Sequence, residues 1–431
     1  MKKVKKAKQV FAIILTLTML FLVGCSGKTS DKPADQAPSN VKENVENSAE
    51  EKVDNLGPLN EPVVITNPEN EDWYNLPEFD TILEADGTFP VKENGEKFVL
   101  GISLPTVQEE LWQLCYNLFE EYGTAMGVEV RLQVADNDAD RQIQQLQSLA
   151  AQGVDAICIG AHDASVLGPV VTEIVEMGIP VVSNTRLPVD CPVTYHVNTN
   201  NETLGNCHSE YIVNTLGITS GNIVILKGDA RQITDVPQIY NGMMRDIQQY
   251  IDSGDINVVL EQNCVDWKAE EAMKHAESAL TLANNDIDAF ICMNDGIASG
   301  VIAVLEQKGL AGQIVVTGMD CEGSALRRVA AGTQSMTIFK DQTELVEEWI
   351  NSAMAAVMNV KPNIEPNCNI NNGYGNVPTI SLGATTVTKD NMEKLLEGTY
   401  IDLDAVLSAQ YYFFSFWNCG VRIIYGRHNS I

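Results

Sequence analysis

Val154-Asp155-Ala156-Ile157 comes back as Ile287-Asp288-Ala289-Phe290, 133 positions further along the chain. Pro180-Val181-Val182-Ser183 comes back as Ile314-Val315-Val316-Thr317, 134 positions on. A near-constant offset between short apolar segments signals a duplicated structural unit. Their β-branched, largely apolar composition is that of strands buried on both faces.

Working outward, the same alternation holds on both sides. Residues 98–103, 128–134, 154–159 and 179–183 read as strands, with helices at 108–126, 139–152 and 165–177. In the 139–152 helix, Ile143, Leu146, Leu149 and Ala150 share one face. The second set has strands at 221–226, 256–261, 287–293 and 314–317, with helices near 234–252, 267–284 and 296–309. Such alternation means parallel sheets covered by helices. The expected fold is α/β, two doubly wound parallel-sheet lobes joined by a three-segment hinge. Open sheets of this kind bind ligands beyond the carboxyl ends of their strands. Two facing lobes therefore make a cleft lined by both sets of strand-end loops.

The chain has 431 residues, 45% of them hydrophobic and 20% charged, which excludes wholesale disorder. It carries 28 basic against 58 acidic residues, a net charge of -30. That field repels phosphate backbones and argues against nucleic acid as a partner. A neutral polar ligand suits it better than an anion.

Lys2, Lys3, Lys5, Lys6 and Lys8 precede an uncharged apolar run from Phe11 to Val23, too short for an ordinary spanning helix. The run ends in Leu22-Val23-Gly24-Cys25, which resembles a bacterial lipoprotein signal. Residues 1–24 are expected to be a signal peptide, with Cys25 lipidated and the chain held at the outer face of the cell membrane. The other reading is an uncleaved signal anchor. Residues 25–96 form a lipidated cysteine, a tether and an N-terminal extension. The tether, 26–62, is rich in Ser, Asn, Asp, Glu, Lys and Pro, a composition that cannot build a core. Nine further cysteines include no CxxC pair, and the odd number argues against a full disulfide framework. Cys158 and Cys292, inside strand patterns, read as buried thiols.

Polar residues gather after the strands: Asn184-Thr185-Arg186, Asn198 to Asn201, Asn294-Asp295, Asp320 and Lys340. Trp112 and Trp267 stand at helix starts. This mixture suits a neutral sugar. Planar polar groups grip adjacent hydroxyls, and the C–H face of a pyranose stacks on an indole. Asn and Asp also favour turns for their own sake. That alternative weakens because the polar residues recur after strands of both lobes.

Residues 97–400 resemble the periplasmic-binding-protein-like sugar receptors of ABC transporters, nearest to the D-xylose-binding members. The stretches that carry the resemblance are Gln152 to Ala156, Gly178 to Val182, LTLANNDIDA at 280–289, Met293-Asn294-Asp295, Thr317-Gly318-Met319-Asp320 and RVAAGTQSMTIFK at 328–340. The last is the one that points to the xylose-binding members. The resemblance implies a type I periplasmic-binding-protein-like fold. It implies that Trp112 and Trp267 stack on the sugar from opposite lobes, and that Arg186, Asn294, Asp320 and Lys340 bond its hydroxyls. Asn201 is implied beside the ring at the first crossing between lobes. It further implies crossings near 199–202, 319–322 and 339–342. The N-terminal lobe is then 97–199 plus 321–339, the C-terminal lobe 200–320 plus 340–400, and 401–431 a tail of uncertain standing. That tail holds the run YYFFSFW at 411–417, to which no function is assigned.

Three positions depart from the family pattern. Thr185 stands where the family usually has Asp, Asn200-Asn201 where it often has Asp-Asn, and Tyr240 where an arginine is common. These changes alter which hydroxyls are gripped, so the reading stops at a monosaccharide, a xylose-like pentose or a related hexose.

No HExxH, GxSxG, Walker loop or GxGxxG motif is present. Asp136-Asn137-Asp138-Ala139-Asp140 opens like a calcium loop, but Arg141 and Gln147 stand where such a loop wants Gly and Glu. A helix cap is the reading there. The expected function is a lipid-anchored receptor that binds a monosaccharide and delivers it to the membrane subunits of an ABC permease. Neither a cofactor, a metal nor catalysis is expected. Two other readings are a sensory module that engages a histidine kinase or chemoreceptor, and an exported carbohydrate-active enzyme using Asp295 and Asp320 as paired carboxylates.

Overall fold

The computed structural model describes residues 88–408. The expected signal peptide, Cys25, the expected tether at 26–62 and the run at 411–417 lie outside the described residues.

The first lobe begins with β1 (Val99–Leu104), α1 (Glu110–Ala125), β2 (Glu129–Val134), α2 (Ala139–Ala151), β3 (Ala156–Ile159), α3 (Gly168–Glu176), β4 (Val181–Asn184) and β5 (Tyr195–Thr199). β1, β3, β4 and β5 are buried along their whole length, as helix-covered parallel strands require. The second lobe follows with α4 (Asn201–Glu210), β6 (Gly221–Lys227), α5 (Asp235–Met244), α6 (Gln248–Asp252), β7 (Ile256–Asn263) and α7 (Ala269–Leu282). It continues through β8 (Ala289–Cys292), α8 (Asp295–Gln307), β9 (Val315–Val316), α9 (Gly323–Ala331) and β10 (Thr337–Phe339). The chain returns to the first lobe for α10 (Gln342–Met358), β11 (Cys368–Asn371) and β12 (Asn376–Leu382). It ends on the second with β13 (Thr385–Val387), α11 (Met392–Leu396) and α12 (Leu403–Ser408).

The first sheet has seven strands in the order β11-β12-β5-β4-β3-β1-β2, parallel except at the β11 edge. The second has four parallel strands in the order β7-β6-β8-β9. The duplication is exact in topology: each sheet places its second strand outside its first and its third on the other side. It also holds in register. Ala156 of β3 lies opposite Leu100 of β1, and Ala289 of β8 lies opposite Ile223 of β6. The strand order reverses between β1 and β3 in one lobe and between β6 and β8 in the other. Those are the switch points where such sheets bind ligands.

The assignment of chain segments to lobes needs correction. α10 buries Leu345, Val346, Trp349 and Ile350 against Leu100, Ile102 and Val182 of the first lobe. The Trp349 indole Nε1 donates to the Val182 carbonyl at 2.8 Å. β12 pairs in parallel with β5. Residues 342–382 therefore belong to the first lobe. Residues 321–339, expected there, belong to the second, where β10 pairs with β13. The crossings lie at 199–201, 339–342 and 382–385. At 319–322 the chain stays in the second lobe, with the Asp320 N–H donating to the Ile338 carbonyl at 3.1 Å. The polar residues after β9 turn the chain back beside β10; they resemble a crossing in sequence because both are polar strand ends.

Two marginal segments also dock. Phe89 is buried in the core beside α1, and Lys92 pairs with Asp155 at 2.7 Å. Leu403 and Val406 pack against the α9 residues Leu326 and Val329, so the described part of the 401–431 tail continues the second lobe. The eight cysteines among the described residues are free thiols. Burial pushes Cys115 and Cys264 up to about 12, which leaves them chemically quiet.

Candidate functional site

β1 ends at Leu104, and the chain turns into α1 with Trp112 in its first turn. The six-membered ring of Trp112 presses on Gly160, directly after β3, so a Cβ there would lie 2.7 Å from Cζ3. Gln142 fixes this turn. Its amide donates to the Gly160 carbonyl at 2.9 Å, and its carbonyl accepts from the His162 N–H at 2.8 Å. Arg186 follows β4 through Thr185, which adopts φ 59, and its guanidinium carbon stands 5.5 Å from the Trp112 ring centroid. Arg186 Nη1 donates to the Ala161 carbonyl at 3.3 Å, while its Nε has no hydrogen-bond partner.

The second lobe repeats the device. Trp267 presses on Gly228, directly after β6. Both indoles are buried, each at the strand-end margin of its own lobe's core, and neither Nε1 has a partner. Glu109 lies within charge range of Arg186, Asp320, Lys340 and Asp266, the residue before Trp267.

Asp320 follows β9 and Lys340 follows β10; they form a buried ion pair at 2.6 Å. Asn294 caps α8, its Oδ1 accepting from the Ile297 N–H at 2.8 Å, which leaves its amide nitrogen to donate elsewhere. Asn201 opens α4 at the first crossing, and its amide donates to Gln238 Oε1 at 3.0 Å. Of the seven expected residues, the structure draws Arg186 to Trp112, and Asp320 to Lys340. It gives Asn294 and Asn201 local structural partners.

Three residues of this region were not singled out from the sequence. Asp235, at the start of α5, is buried and its Oδ1 has no partner. Burial raises its carboxyl to about 6 against the opposing pull of Arg186 and Lys340. Burial raises Glu109 to about 7, again opposed by Arg186. Gln232 is buried, donates to the His162 carbonyl across the lobes, and has an unpartnered Oε1. Their only sequence signal is a polar residue next to a helix start. Glu110, in the first turn of α1, accepts from the Gly323 N–H at 2.8 Å and so also joins the lobes.

The departures from the family pattern are satisfied locally. Thr185 Oγ1 donates to Asn184 Oδ1 at 2.6 Å, and Asn200 Oδ1 caps α4 from the Thr203 N–H at 2.9 Å. Tyr240 donates to Glu261 at 2.9 Å beneath Lys227. Asp138 caps α2, accepting from the Arg141 N–H at 2.9 Å, as a helix cap should. Among the described residues no group of His, Cys, Asp and Glu is arranged to hold a metal ion.

Residues 100–361 match the family model described as periplasmic binding protein domain. The chain is 30% identical over 314 residues to the D-xylose-binding periplasmic protein of Haemophilus influenzae, covering 73% of this chain and 93% of that one. It is 30% identical over 306 residues to the Escherichia coli protein of the same name, covering 70% and 90%. A solute-binding protein of an ABC transporter from Clostridium phytofermentans, solved with β-D-glucose bound, superposes with a TM-score of 0.66 at 25% identity, covering 72% of this chain and 99% of that one. The duplicated sheets and three crossings are those of the type I fold, and the chain belongs to the periplasmic binding protein family.

Proposed function

We propose that the chain is a lipid-anchored extracytoplasmic receptor that binds a neutral monosaccharide between its lobes and delivers it to the membrane subunits of an ABC permease. One observation carries the reading. At each switch point an indole is pressed on a glycine, and the polar groups around it include unpartnered atoms of Arg186, Asp235 and Gln232. Buried polar groups of that kind are costly unless a ligand or water meets them. A ring with two apolar faces and an equatorial fringe of hydroxyls meets both demands.

In this reading Trp112 and Trp267 stack on the sugar. Arg186, Lys340 and the Asn294 amide donate to its oxygens. Asp235, Glu109, Asp320 and Gln232 accept from its hydroxyls, and Asn201 orients Gln238 at the ring's margin. Arg186 and Lys340 face three carboxyls, so the site has no surplus of positive charge for an anion. The names of the relatives favour a pentose such as xylose, and the glucose-bound neighbour keeps a hexose in range.

Closure matters for delivery. A ligand shifts the lobes only through its greater affinity for the closed form. The Gln232–His162 and Glu110–Gly323 bonds span the lobes directly and belong to that form. An enzymatic use of Asp295 with Asp320 finds no support in the geometry. The Asp295 carboxylate accepts from Thr337 at 2.7 Å, Gln334 at 2.7 Å and the Glu322 N–H at 3.1 Å, all inside the second lobe.

The test is a thermal-shift screen against pentoses, hexoses and deoxy sugars, since a ligand of the native state raises its melting temperature by mass action. A rise with one or a few neutral monosaccharides supports the reading; a flat response to all of them at millimolar concentration overturns it. Uptake of the responding sugar should fall in a strain lacking the protein. The Lys-rich start and Leu22-Val23-Gly24-Cys25 support the anchor. Cys25→Ala should abolish labelling by a fatty acid and release the protein from membranes.

A further inference from the structure

Asp266 and Trp267 are two consecutive non-glycine residues with positive φ, 52 and 56. A bulky side chain in the left-handed region is disfavoured and persists only where its surroundings over-determine it. Here the surroundings are a charge lattice. The Asp266 N–H donates to Asp229 Oδ2 at 2.6 Å. Arg231 donates through its Nε to Asp229 Oδ1 at 2.9 Å, and through Nη2 to both Asp229 and Asp266. Lys268 Nζ approaches Asp266 Oδ2 at 2.8 Å. Trp267 itself holds one backbone bond, to the Cys264 carbonyl at 3.0 Å.

We propose that Arg231 is a positioning residue for Trp267: its guanidinium ties Asp229 to Asp266 and so holds the left-handed pair that lays the indole against Gly228. The planar fork suits the task, because one group can bridge two carboxylates that would otherwise repel. The two carboxylates come from different strand ends, Asp229 after β6 and Asp266 after β7. Arg231 therefore clamps the rim of the switch point, not a single turn. It is 41% exposed, so its loss should leave the core of the lobe intact. Its neighbour Gln232 donates to His162 of the opposite lobe, which makes this short segment touch both the indole's support and the facing lobe. The inference rests on the reading that Trp267 stacks on the sugar, but its structural half stands without any sugar.

Two measurements on the purified protein test it. Hydrogen exchange without sugar should show the Asp266 and Trp267 amides losing about tenfold in protection in Arg231→Ala, while the amides of β6 and β8 are unchanged. Titration with D-xylose and D-glucose should show about a tenfold loss of affinity in the same variant for whichever sugar the wild type binds. Arg231→Lys, which can pair with one carboxylate at a time, should fall between. In a Trp267→Ala background, Arg231→Ala should cost no further affinity, because its effect runs through the indole. Unchanged exchange at Asp266 and Trp267, or an equal affinity loss in the Trp267→Ala background, overturns the proposal. A wild type that binds neither sugar counts against the receptor reading for these sugars, while the exchange measurement still decides the role of Arg231.

Discussion

A Cβ placed on Gly228 would lie 2.1 Å from Cζ2 and 2.2 Å from Cη2 of Trp267, so the indole occupies the space that any side chain at this position would need. The glycine is there for the ring. Gly228→Ala should push the indole off the switch point and weaken sugar binding about a hundredfold, with an overpacking cost of about 1–3 kcal/mol in stability. Gly160→Ala, whose Cβ would lie 2.7 Å from Trp112, should act in the same direction but less severely. Calorimetric titration beside thermal unfolding separates the two effects. Wild-type affinity in Gly228→Ala would remove Trp267 from the site.

The Asp320–Lys340 pair tests a different part of the argument. Both side chains are almost wholly buried, so removing one charge strands the other in a poor solvent. Lys340→Met should destabilise the protein by about 3–5 kcal/mol in urea unfolding. The double change Lys340→Met with Asp320→Asn should recover most of that loss. Sugar affinity should stay weak in both, since the hydroxyl partners are gone. Recovery of affinity along with stability would mean that the pair serves only the fold.

Much of this architecture could be read from the residues, and the failures have physical causes. The runs around Ile157 and Phe290 announce themselves because strands covered on both faces must be apolar throughout. β5 is hard to read because Tyr195-His196-Val197-Asn198-Thr199 mixes polar residues into a wholly buried strand. His196 is tolerated there by its 2.8 Å contact with Ser183 of β4. β12 carries Pro378, normally a sign against a strand inside a sheet, yet it lies between β11 and β5. Without β12, the third segment reads as part of the second lobe. Around the candidate cleft, the tryptophans and Arg186 stand out in the sequence because their chemistry is distinctive. Glu109, Asp235 and Gln232 do not, because what singles them out is the surfaces and charges that residues far away in sequence bring around them.

The lobe-spanning bond from the Gly323 N–H to Glu110 stands outside the proposed sugar contacts and exists only when the lobes meet. An exposed hydrogen bond of this kind contributes about 0.5–1.5 kcal/mol. Glu110→Ala should therefore weaken sugar affinity by about three- to tenfold, chiefly through faster dissociation. Stopped-flow fluorescence should show an off-rate increase with little change in on-rate. An unchanged off-rate would mean that this bond does not help hold the closed form.

The pH response follows from the two raised carboxyls. Burial lifts Glu109 from an ordinary 4.5 to about 7, with Arg186 and Lys340 pulling it down and Asp320 and Asp266 pushing it up. Burial lifts Asp235 from 3.8 to about 6, with Arg186 and Lys340 opposing. A carboxyl whose pKa is higher in the fold than in the unfolded chain favours the protonated native state. The contribution of these two groups to the stability of the sugar-free protein should therefore fall as pH climbs from about 4 through 7, against the opposite contribution of the buried His196 and His208, which burial lowers to about 3. Sugar hydroxyls that donate to these groups favour the ionised form instead. Affinity should then rise with pH up to about 7 and level off above it, and binding near pH 6 should release protons. Calorimetry in buffers of different ionisation enthalpy reads that release directly. A flat affinity profile with no proton release would show that neither Glu109 nor Asp235 meets the ligand, and would leave Arg186, Lys340 and the two indoles to carry recognition alone.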